Sequence, residues 1–156
     1  MKNLFNLLAI AAILAIAVSA CSDPCTNTDC GTNGECVEGT CVCDSNYMGS
    51  DCSQMLNSLF VGTYVAQWTC SAGGSATDTV TVVVGNAPDA VIFQDFNGIT
   101  GNDIGVTISE NDDLVIAQQT TAAGNAYSGS GTRSNSVLSF TLNKSSDTCQ
   151  VTMTKQ

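Results

Sequence analysis

The chain has 156 residues, with 14 acidic side chains against 4 basic ones, no histidine and nine cysteines. A net charge of -10 without a basic cluster excludes nucleic-acid binding, which needs grouped Lys and Arg against phosphate, and gives no electrostatic hold on anionic lipid. Without histidine there is no Ser–His–Asp or Cys–His chemistry and no His-ligated metal. Dense cysteine in a secreted-looking chain points to disulfides and an oxidising compartment.

Residues 1–20 read as a secretory signal. Lys2 is the positive start, Leu4 to Val18 is apolar apart from Asn6, and the small residues Ser19 and Ala20 precede Cys21. The competing reading is an uncleaved membrane anchor, for which the apolar run is slightly short. The run Val18-Ser19-Ala20-Cys21 resembles the lipobox of bacterial lipoproteins of the Bacteroidetes type. That resemblance implies a diacylglyceryl group on the Cys21 thiol, cleavage before it and an acylated, palmitate-bearing N-terminus. It also implies that the partner of this end is a membrane, at the cell envelope and there the outer membrane. Two or more acyl chains hold firmly where one binds marginally. Residues 21–24 are then a lipidated tether, and the eight other cysteines can all pair. Asp23 resembles the acidic surface-export signals of such lipoproteins.

Residues 25–52 hold six cysteines: Cys25, Cys30, Cys36, Cys41, Cys43 and Cys52. So short a segment cannot bury enough apolar surface to fold unaided and needs covalent staples. Six cysteines allow fifteen pairings. Zinc is disfavoured, since paired C-x2-C spacings are absent. The spacing, the Cys41-Val42-Cys43 triplet, Tyr47, Gly49 and Gly34 resemble an epidermal-growth-factor-like (EGF-like) domain. The resemblance implies the pairs Cys25–Cys36, Cys30–Cys41 and Cys43–Cys52. Asn46 stands where that family often has Gly, as the residue that best tolerates positive φ. Asp23 alone precedes the first cysteine, too few oxygens for the calcium-binding subtype. The module is read as a stalk or as a binding module for a protein or glycan partner.

Residues 53–58 read as a connector with one helical turn through Met55 and Leu56. From 59 to 156 the pattern alternates with period two, the mark of half-buried strands. The inward sets are Phe60, Gly62, Tyr64, Ala66 and Trp68; Val80, Val82 and Val84; Ala90, Ile92 and Gln94; Ile104, Val106 and Ile108. They continue with Leu114 and Ile116; Tyr127, Gly129 and Gly131; Leu138, Phe140 and Leu142; Val151 and Met153. Turn residues separate about eight strands, as an antiparallel meander requires. The fold class is mainly β, with a barrel of about eight strands preferred to a β sandwich. In such a barrel the end of strand one meets the start of strand eight, which fits a Cys70–Cys149 bond closing the seam. The entropic effect of so large a loop is about 4–5 kcal/mol.

Gly62-Thr63-Tyr64, Leu114 to Gln119, Tyr127 to Thr132 and Cys149 to Thr154 resemble small calycin-like, lipocalin-type barrels of bacterial lipoproteins. Tyr64 replaces the Trp of the lipocalin Gly-x-Trp. The resemblance implies a pocket for a small apolar ligand, with Tyr64, Trp68, Phe93 and Phe140 as its candidate lining. Phe60 and Phe96 could line it too, and all six rings also suit a plain core. Asp95, Asp103, Asp112 and Asp113 sit in turn contexts without the ligand spacing of a calcium loop. No catalytic residue, metal ligand or cofactor motif is identified. The expected function is that of a non-enzymatic, lipid-anchored envelope protein, with a ligand carrier as the alternative.

Overall fold

The computed structural model describes residues 23–145 and 147–156. Cys21 and the signal segment lie outside the described residues. The architecture is mainly β: two small hairpin sheets followed by a closed eight-stranded barrel.

The N-terminal part is organised by sulfur. Strands β1 (Gly34–Val37) and β2 (Thr40–Cys43) pair as a hairpin, and β3 (Tyr47–Met48) pairs with β4 (Gln54–Met55). Cys25 is bonded to Cys36, Cys30 to Cys41 and Cys43 to Cys52. Close approach fixes Gly34, where a Cβ would come within 2.5 Å of the Cys52 sulfur. Asn46 has φ of 69°, the left-handed conformation in which Asn stands in for Gly.

The expected connector is structured. Gln54 and Met55 complete the second hairpin, and Leu56–Leu59 form a 3-10 turn with Leu56 and Asn57 buried. Leu56 joins the barrel core, so this turn plugs one end of the barrel. An apolar residue that can reach a core does not stay in a free linker.

The barrel strands are β5 (Gly62–Cys70), β6 (Ser75–Val84), β7 (Ala90–Gln94), β8 (Ile104–Ile108), β9 (Asp113–Thr120), β10 (Ala126–Ser134), β11 (Val137–Lys144) and β12 (Asp147–Lys155). Each pairs antiparallel with the next, and β12 returns to β5. This is the up-and-down barrel read from the alternation, not the sandwich. Cys149 lies opposite Cys70 across the β12–β5 seam and is bonded to it. Closure leaves the barrel itself no open sheet edge.

Two inward sets need correction. On β7 it is Val91 and Phe93 that are buried, with Ala90 and Ile92 half-buried on the outside and Gln94 exposed. The run Ala90–Phe93 is apolar throughout, so alternation could not phase it, and a one-residue slip exchanges the faces. Pairing decides instead: Phe93 lies opposite Val82 on one side and Ile104 on the other, both buried. Val84, the last residue of β6, is exposed at the rim beside the Gly85 turn.

The weakest seam lies between β8 and β9. Only Thr107–Val115 and Ile108–Leu114 pair there. A bulge then shifts β9 relative to β10. Beyond it the Gln119 amide replaces the ladder, accepting from the Gly105 N–H at 2.8 Å and donating to the Gly105 carbonyl at 2.7 Å. On β10, Gly131 faces Phe140, and a Cβ there would collide with the Phe140 Cβ. Absence of a side chain lets the backbones of β10 and β11 approach closely here.

Candidate functional site

The two ends of the barrel differ. At the end nearest the disulfide-rich module most polar groups are engaged, although the buried Asn57 Oδ1 has no partner among the described residues. Tyr64 donates its hydroxyl proton to the Phe60 carbonyl at 2.8 Å. The Arg133 guanidinium lies 4.8 Å above the Phe60 ring centroid and pairs with Asp112 at 2.8 Å. Burial raises the Tyr64 hydroxyl pKa above its ordinary value, and the nearby Arg133 charge opposes that shift. The Lys155 ammonium sits 3.4 Å from the Leu59 carbonyl and 6.0 Å from the Tyr64 ring. The Asn57 side chain donates to the carbonyls of Ala87 (2.9 Å) and Ala90 (3.1 Å), and its backbone N–H to that of Pro88 (2.9 Å). Glu110 accepts from the Asn46 N–H at 3.0 Å, so the β8–β9 turn meets the disulfide-rich module directly.

The opposite end opens into a cavity of about 120 Å³. Its apolar walls are Trp68, Phe96, Tyr127, Leu142 and Val151, with the Cys70–Cys149 bridge beside them. Asn97, Lys144 and Asp147 supply the polar part of the lining. Trp68 stacks on Phe96 at 5.5 Å between centroids, and Tyr127 meets Phe96 edge-on at 6.2 Å. This volume is of the order that holds one benzene-sized molecule.

Loop hydrogen bonds set these walls. Phe96 belongs to a 3-10 turn, Phe96–Gly98, in the β7–β8 loop. Buried Asn102 donates to the Phe96 carbonyl at 2.6 Å and to the Tyr127 hydroxyl at 2.9 Å. Its own side-chain oxygen accepts from Thr121 and Asn125. One amide thus ties the β7–β8 loop to the β9–β10 loop. Asp95 and Asp103 serve the same loop, accepting from the N–H groups of Gly101 and Asp95.

Asp147 is held more tightly than a surface carboxylate needs to be. Its Oδ1 accepts from the Ser71 hydroxyl at 2.6 Å, the Ala72 N–H at 2.9 Å and its neighbour Thr148 N–H at 2.9 Å. The Ser71 hydroxyl, then the Ala72 N–H, hold its pKa below the ordinary carboxylate value. Among the described residues no donor reaches Oδ2. Lys144 is the cross-strand partner of Asp147, yet the two form no ion pair among the described residues. Cys70, Cys149 and Asp147 bring their ligand atoms within 4.8 Å of one another. The two sulfurs are bonded to each other, so this group offers no thiolate pair to a metal.

The expected pocket lining is corrected by this arrangement. Of Tyr64, Trp68, Phe93 and Phe140, only Trp68 lines the cavity, and of Phe60 and Phe96, only Phe96 does. Phe93 and Phe140 are buried with centroids 5.8 Å apart, Phe93 lying 6.4 Å from Phe96, and Tyr64 belongs to the plugged end. The barrel is narrow enough for side chains to fill it. Sequence reading did not assign Asn97, Asn102, Lys144 or Asp147 to the site, because loops that are distant in the chain bring them together.

The family described as the tenascin EGF domain matches residues 26–53. None of the curated proteins matches the chain. Among solved structures, the chain is similar to the redesigned beta barrel b11L5F_LGL, at 20% identity over 64% of this chain and 94% of that one, with a TM-score of 0.49. It is also similar to EF1p2_mFAP2b bound to DFHBI (16% identity, 64% and 95% covered, TM-score 0.48). A third is the redesigned beta barrel mFAP1 bound to DFHBI (17% identity, 64% and 97% covered, TM-score 0.48).

Proposed function

We propose that the chain is a non-enzymatic, lipid-anchored protein of the cell envelope, in which the EGF-like module is a stiff spacer presenting the barrel mouth away from the membrane. The observation that carries this reading is the junction. Leu56 and Asn57 are buried in the barrel's plugged end, and Asn46 is hydrogen-bonded to both Leu56 and Glu110. The module on the side of the chain that leads to Cys21 therefore packs on one end of the barrel, and the cavity opens at the other. The lipobox-like run Val18-Ser19-Ala20-Cys21 supports the anchor. The alternative, a carrier with an apolar ligand deep inside the barrel, is disfavoured by the Phe93 and Phe140 rings that fill its middle, the cavity being at the mouth.

Membrane fractionation of the full chain and of Cys21→Ala tests the proposal. The native chain is expected in the membrane fraction with a lipid mass increment, and the variant in the soluble fraction without one. A variant that remains in the membrane would overturn the anchor. Protease shaving of intact cells then reports whether the barrel faces the outside.

A further inference from the structure

We propose that the barrel mouth is a binding site for a small organic ammonium ion, a molecule with a positively charged nitrogen on an apolar body about the size of one ring. Three features converge. The cavity of about 120 Å³ accepts such a body, and its walls are the rings of Trp68, Phe96 and Tyr127. Phe96 is stacked with both Trp68 and Phe93, so these walls offer the ligand's body apolar contact. Asp147 is the second feature. Three donors on Oδ1 fix the carboxylate in place, and Oδ2 is left without a donor among the described residues. A carboxylate oriented in advance loses little freedom when it takes a ligand N–H. The third feature is the net charge of -10, which favours approach by cations.

Lys144 is the argument for the opposite sign, since its ammonium would suit an anion. Its charge sits on a flexible four-carbon stem, however, and no hydrogen bond holds it among the described residues. Asp147 is fixed where Lys144 is not. The Tyr127 hydroxyl accepts from buried Asn102, which holds this wall of the cavity in place.

Trp68 is the sole tryptophan of the chain and lines the cavity, so its emission reports occupancy directly. The full chain in detergent is titrated with benzylamine, benzyl alcohol and benzoate, which share a ring and differ in charge. Benzylamine is expected to change Trp68 emission saturably. It should bind about tenfold or more tightly than benzyl alcohol, as a charge-assisted hydrogen bond implies, and benzoate should bind most weakly. Asp147→Asn, which keeps the Oδ1 acceptor, should remove most of that preference, and Lys144→Gln should leave benzylamine binding equal or tighter. Equal binding of benzylamine and benzyl alcohol would overturn the proposal, as would tighter binding of benzoate or no saturable response to benzylamine. Should Asp147→Asn fail to fold, the order of the three probes on the native chain decides alone.

Discussion

The plugged end and the mouth of the same barrel use similar side chains to different effect. At the plugged end Arg133 and Lys155 are held by Asp112, by aromatic rings and by a carbonyl, and Asn57 donates to two turn carbonyls. At the mouth Lys144 forms no ion pair among the described residues, and one oxygen of Asp147 has no donor there. The charged groups of the plugged end are thus engaged by the fold, while the buried Asn57 Oδ1 stays without a partner among the described residues. The contrast leaves unengaged charged groups at the mouth among the described residues, while the other end joins the EGF-like module through Asn46 and Glu110.

The largest test of this contrast is Phe60→Ala. Phe60 is fully buried beneath Arg133, and truncation should cost about 3–5 kcal/mol, read from the denaturant midpoint. Arg133→Ala should cost less, about 1–2 kcal/mol, because it loses a cation–π contact and a partly exposed ion pair. At the mouth, Tyr127→Phe removes one hydrogen bond from Asn102 and should cost about 1 kcal/mol. Mouth variants as costly as Phe60→Ala would erase the contrast.

The smallest effect is a pH dependence. The Asp147 carboxyl is held below its ordinary value by Ser71 and then Ala72. Its contribution is therefore complete above the unfolded-state carboxylate value and is lost as pH falls through the lower folded-state value. The thermal midpoint of the native chain should fall more on acidification than that of Asp147→Asn. Equal acid sensitivity would mean that the three bonds to Oδ1 add nothing.

Much of the architecture was legible because it follows from short-range pattern. Alternation from Phe60 to Met153 gave eight strands, and the places of Cys70 and Cys149 at the ends of the first and last strands gave closure. The phase of Ala90–Phe93 was not legible, since an unbroken apolar run has no preferred face. Nor was the plug: Met55-Leu56 reads as a short connector until the barrel end that Leu56 fills is known. The mouth was hidden for a different reason. Asn102 acts through Phe96 and Tyr127, and Asp147 through Ser71, a residue 76 positions away. No local spacing encodes such meetings.

Amide hydrogen exchange across the junction tests the central claim most directly. The N–H groups of Leu56, Asn57 and Phe60 bond to the carbonyls of Asn46, Pro88 and Asn57 at 2.9, 2.9 and 3.0 Å. If the EGF-like module and the barrel are one stiff unit closed at this end, these amides should exchange as slowly as those of β5 and β12. Exchange as fast as at the exposed Gly73–Gly74 turn would show a loose linker, and the mouth would then have no fixed direction relative to the module.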